Sequence, residues 1–168
     1  METQPILEDN FKTLLWDRNE IVERLSKDKD LAKCLLSNDK YFKKYTPTED
    51  EIEDLPFNNI FPCLYTFKTL QEVKSFITMG FEYSNTKTAN IWKTGLVTFY
   101  CFCHKDIVRT AYGLRYDYML QRVNHLMFNT KNSTWIGKME FVCVKDIIMD
   151  GNSDYVGIMI KYKNTELM

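Results

Sequence analysis

The side chains best equipped for chemistry are few. Cys101-Phe102-Cys103-His104 puts two thiols and an imidazole side by side, and these residue types ligate zinc. On a strand, Cys101 and Cys103 point to one face and His104 to the other. A tetrahedral site needs four converging donors, and no paired C-x-x-C or Cys/His set supplies them. Buried structural thiols are the plainer reading. The other histidine, His125, could pair in space with Cys143 as a nucleophile and base, but sequence alone does not join them. No G-x-S-x-G elbow occurs. Glu49-Asp50-Glu51-Ile52-Glu53-Asp54 is rich in carboxylates, yet it lacks the apolar surroundings that push two acid pKa values apart. With the basic Lys40-Tyr41-Phe42-Lys43-Lys44-Tyr45 before it, this run reads as a solvated face, or else as a charged docking surface. His104-Lys105-Asp106 stands where a strand gives way to a helix, a place that favours anions. Asp106 as a cap or flank of the first turn accounts for it more simply. Only 6 glycines are present, and neither phosphate-cradling glycine loop is found. No catalytic residue, metal or cofactor is expected.

The 168 residues are enough for one domain, with 45% hydrophobic and 27% charged residues, which excludes a mainly disordered chain. Lys and Arg number 22 against 23 Asp and Glu, a net charge of -1. That balance gives no footprint for general nucleic-acid binding and suits a chain that associates with protein. Aromatics at 14% imply an aromatic core or an aromatic interface. No apolar run reaches the ~18 residues of a membrane span. Met1-Glu2-Thr3-Gln4-Pro5 does not open like a signal peptide, and an odd 5 cysteines fit a reducing compartment. The chain is expected to stay in the cytosol where it is made, so Asn132-Ser133-Thr134 is a coincidental glycosylation pattern.

Two regions differ in texture. Residues 1–60 read as a charged helical segment: Asp9-Asn10 caps a stripe of Phe11, Leu14, Leu15, Ile21, Val22 and Leu25, and Asp28 starts a short helix with Leu31, Cys34 and Leu35. A break falls across Ser37-Asn38-Asp39. Residues 61–168 read as an α+β core of order β-β-β-α-β-β, the two regions together forming one compact domain. Phe61-Pro62 leads into a strand over 63–67. Ser75 to Tyr83 alternates, Ser84 to Asn90 is a hairpin loop, and Ile91 to Cys103 is a long strand, apolar on both faces at its end and therefore central. Tyr112 to Phe128 has helical spacing, Met139, Phe141 and Cys143 share one face of a further strand, and Asp150 to Asp154 turns into a last one. The expected fold is α+β: a mostly antiparallel four- to five-stranded sheet with one helix packed on a face, preceded by an N-terminal helical segment.

Phe61-Pro62-Cys63-Leu64-Tyr65, Phe81-Glu82-Tyr83, the strand 91–103, Gly113-Leu114-Arg115-Tyr116-Asp117 in the helix and Tyr155 to Tyr162 at the end follow one another in this order. The series resembles the tail terminator, or neck, proteins of long-tailed bacteriophages over roughly residues 57–164. The longer charged helical region before it departs from that pattern. The resemblance implies a structural virion subunit, made in the bacterial host cytoplasm and located in the neck or tail. It implies a homo-oligomer, a hexameric ring that caps the tail tube protein and meets the head-tail connector protein. DNA would pass through the lumen without sequence readout, no membrane would be involved, and no catalytic residue would carry over. The loops expected to touch partners are Ser84 to Asn90, Thr130 to Trp135 and Met149 to Asp154, with Lys87, Lys131, Trp135 and Asp154 as candidate contacts. Another neck or tail adaptor is the alternative. A small enzyme with a site gathered from distant Cys, His and carboxylates is the third reading.

Overall fold

A computed structural model describes residues 18–65, 72–85, 92–128 and 139–167. Residues 18–27 are helical (α1) and bury Ile21 and Leu25, one turn apart. Asp28 then caps α2 (Lys29–Leu36) by accepting the Leu31 N–H at 2.7 Å. This is the start expected from sequence, and α2 buries Leu31, Ala32, Cys34 and Leu35. It ends at Ser37, where the break was expected. A single 3₁₀ turn, Phe42–Lys44, buries the Phe42 ring. The acidic run forms a short helix, α3 (Glu49–Glu53), closed by a Thr48–Glu51 capping box and burying no residue. The expected cap at Asp9-Asn10 lies outside the described residues.

The main sheet contains β1 (Ile60–Phe61), β2 (Ser75–Asn85) and β3 (Trp92–His104). A small hairpin of β4 (Arg109–Thr110) and β5 (Gly113–Leu114) follows, then α4 (Arg115–Phe128). β6 (Met139–Ile148) and β7 (Tyr155–Leu167) complete the main sheet, whose strand order is β1-β2-β3-β7-β6. All neighbours are antiparallel except β1 and β2, so the sheet is mixed. The α+β class and the β-β-β-α-β-β order of the main sheet match the sequence reading, and β3 is central as its two apolar faces required.

Four local expectations are corrected. The first strand is Ile60–Phe61, and residues 62–65, where the strand 63–67 was expected to open, are bend and coil: Pro62 has no N–H to continue a ladder, and residues 66–67 lie outside the described residues. β2 runs on to Asn85, into the expected loop. The helix begins at Arg115 rather than Tyr112, because Gly113 takes φ 106, a left-handed value that belongs to the β4–β5 turn. The fourth concerns β6, a long strand that reaches Ile148 and carries a bulge between Phe141 and Cys143.

One face of the sheet carries the helices. Ile77 and Met79 of β2, Val97, Phe99 and Cys101 of β3, and Ile158, Ile160 and Tyr162 of β7 form one buried cluster with α1, α2 and α4. On the opposite face, Phe61, Phe76, Phe102, Met149 and Tyr155 form a smaller cluster. Within the helical layer, two arginines of α4 hold α2. Arg122 grips the Asp28 carboxylate with Nε and Nη2 at the N-terminal end of α2. Arg115, two turns earlier, is fully buried and donates to the carbonyls of Cys34 (2.9 Å), Ser37 (2.6 Å), Asp39 (2.9 Å) and Ile107 (2.9 Å). Its guanidinium also lies over the Phe42 ring, 5.1 Å from the centroid. The two helices therefore run antiparallel.

Replacing this side chain leaves several buried carbonyls without donors. Arg115→Met is expected to destabilise the fold by about 3–5 kcal/mol, and Arg115→Lys by nearly as much, since an ammonium cannot reproduce the planar fork. Urea denaturation followed by circular dichroism measures both; a loss under about 1 kcal/mol contradicts this account.

Candidate functional site

Among the described residues β6 is an edge strand, paired with β7 alone. Its bulge decides which side chains face the helices. Phe141 stands opposite Tyr162 and Val144 opposite Ile160, and both β7 partners belong to the helix-covered core. The extra residue, Val142, shifts the alternation by one. Phe141, Val144, Asp146 and Ile148 therefore share the helical face, while Cys143 and Lys145 take the other. The sequence reading placed Phe141 and Cys143 together and is corrected here, because strict alternation does not survive a bulge.

The helical layer stops short of this row. α4 packs over β3 and β7, and α2 lies beside it toward β2. Phe141 and Ile148 consequently remain 54% and 69% exposed. Between α4 and β6 runs an open groove of about 510 Å³, with apolar walls from Leu120, Phe128, Phe141, Val144 and Ile160. Asp117, Gln121 and Asn124 form its polar side along α4. Partial burial, and then the neighbouring Asp146, push the Asp117 carboxyl above the usual carboxylate range. Buried Tyr162 holds two of the lining residues in place: its hydroxyl donates to Asn124 Oδ1 at 2.8 Å, and its ring meets Phe128 edge-on at 6.0 Å.

A second surface lies on the other flank of α4, beside the C-terminal end of α2. Lys43 Nζ sits over the Tyr112 and Tyr118 rings at 4.4 and 4.6 Å. Lys40 and Lys44 approach the Tyr41 ring at 5.1 and 5.0 Å. Tyr41, Tyr112 and all three lysines are exposed. A shallow hollow of about 330 Å³ adjoins them between Ser37, Asp39 and Tyr45.

The structure brings few of the residues singled out for chemistry together. Cys101 and Cys103 are buried, as is Cys34. Burial pushes the Cys34 and Cys103 thiols up to about 12 and raises Cys101 as well. His104 caps a second 3₁₀ turn, Lys105–Ile107, its Nδ1 accepting the Asp106 N–H at 3.3 Å. His125 is on the exposed side of α4 and Cys143 is half-buried in β6. Among the described residues no three His, Cys, Asp or Glu gather as metal ligands, and no helix is long and apolar enough to cross a membrane. Of the expected contact residues, Lys87, Lys131 and Trp135 lie outside the described residues. Asp154 sits in the β6–β7 turn and is ion-paired to Lys105. Sequence reasoning missed the groove, whose only local signal was a final helix and a strand both richer in apolar residues than one buried face requires.

An α+β protein with a helical layer on one face and an uncovered apolar row at the sheet edge is the class these features define. A family model described as YomW matches residues 28–164, from the cap of α2 into β7. The chain belongs to the YomW family, which is phage-associated. No curated protein and no solved structure matches it.

Alkylation at pH 8 is expected to modify exposed Cys63 first and to spare Cys34, Cys101 and Cys103 until denaturant is added. Mass spectrometry reads the order, and rapid labelling of Cys101 or Cys103 contradicts it. A second expectation concerns acid. The hydrogen bond from Lys105 holds the Asp154 carboxyl below its ordinary range, so its small, salt-screened stabilisation is present above the unfolded pKa and is lost as pH falls through the folded one. NMR titration should find Asp154 titrating below free aspartate, and Lys105→Met should move it back up.

Proposed function

We propose that this phage-associated chain is a structural subunit of the virion that performs no covalent chemistry: a tail-terminator-like neck protein. It assembles through its flanks into a six-membered ring that caps the tail tube and faces the head connector. The observation that carries this reading is the apolar row on β6 left open beside α4, where Phe141, Val144 and Ile148 are all exposed. An exposed contiguous apolar surface of this kind marks a site of protein contact, and the β6 edge, unpaired among the described residues, offers a second mode of attachment. The order of elements retained in the fold supports it further, since the resemblance to tail terminators rested on that order. The net charge of -1 suits a lumen through which DNA slides without being gripped.

Light scattering on the purified chain tests the proposal. A ring of six at 20.0 kDa each gives about 120 kDa, with the fraction assembled rising with concentration. A single 20.0 kDa species at every concentration contradicts assembly by the chain itself.

A further inference from the structure

We propose that successive copies of this chain join head to tail, the Lys40–Lys44 surface of one copy seating in the α4–β6 groove of the next. The inference rests on the assembly reading above and names the two surfaces that would carry it.

The first argument is chemical complementarity. The groove is apolar with Asp117 on its polar side, and Asp146 stands on the same face of β6 as Phe141 and Val144. Among the described residues neither aspartate is ion-paired. The opposite surface is aromatic and cationic: Tyr41 and Tyr112 stand exposed among Lys40, Lys43 and Lys44. These lysines likewise have no carboxylate in ion-pair contact among the described residues. Each surface holds what the other lacks, in apolar area and in sign of charge.

Placement is the second argument. Tyr118, which shares Lys43, looks toward α2, whereas Asp117, Gln121 and Asn124 look toward β6. The two surfaces thus occupy opposite flanks of α4 and do not compete for one neighbour. A contact between two different surfaces of identical chains is heterologous, and it propagates until a rotation closes it into a ring. Aromatic rings entering the groove would supply the cover that the helical layer does not give to Phe141 and Val144, and a lysine beside them would neutralise the paired aspartates.

Charge exchange between the surfaces provides the test. Asp146 and Lys44 are both exposed, so Asp146→Lys and Lys44→Glu are expected to leave the fold intact, as circular dichroism and urea denaturation would verify. Each variant alone should weaken self-association by about tenfold or more, measured by light scattering and sedimentation at low salt. An equimolar mixture should recover the wild-type assembly. In the mixture every junction pairs a lysine with an acid, and only copies of the two kinds in alternation allow it. Asp117→Asn, which removes charge without adding bulk, should also change the affinity. If the wild type assembles while both reversed variants assemble equally well, or the mixture recovers nothing, these surfaces are not the junction and the assembly reading stands without them. If the wild type never assembles, both fail.

Discussion

A buried guanidinium that has no carboxylate partner among the described residues holds the helical layer together. Arg115 has no exposed surface and gives its N–H groups to carbonyl oxygens alone. Taking a cation out of water is costly. The cost is offset here because the acceptors include carbonyls at and just beyond the C-terminal end of α2, where the helix dipole is negative and where the carbonyls have no partner within the helix. The same contact requires Ser37 to Asp39 to turn back toward α4 and places the Phe42 ring under the cation. Everything that follows in the chain up to Lys44, including the display of the exposed lysines, depends on that turn.

At the other end of α2, Asp28 serves two elements at once. Its carboxylate caps the helix and also receives Arg122. A short helix of this length is marginal on its own, so its persistence is a matter of tertiary contacts at both ends rather than of propensity. The half of the α4 surface that performs this task is unavailable for anything else. What remains of α4 is the flank carrying Asp117, Gln121 and Asn124, and the groove is formed there.

Much of the architecture could be read along the chain because it rests on local signals. Asp28 before Leu31, Cys34 and Leu35 specified α2, the doubly apolar end of β3 specified a central strand, and Asp150-Gly151-Asn152 specified the turn into β7. The failures have physical causes of a different kind. The burial of Arg115 has no local signal, since nothing nearby in sequence announces that carbonyls from α2 will surround it. The bulge at Phe141 and Cys143 has no glycine to mark it, and it moves every later side chain of β6 to the other face. The groove is legible only once the helical layer is seen to end at α4, and that is a property of packing.

The position of β7 has a consequence for how the polypeptide matures on the ribosome. It follows every other strand in the chain yet lies inside the sheet, between β3 and β6. The open side of β3 therefore stays unpaired until residues 155–167 have left the exit tunnel. Collapse into the native topology must wait for contacts distant in sequence, which slows folding and prolongs exposure of bare β edges. A host chaperone that shields nascent strands would have its longest period of engagement during that interval.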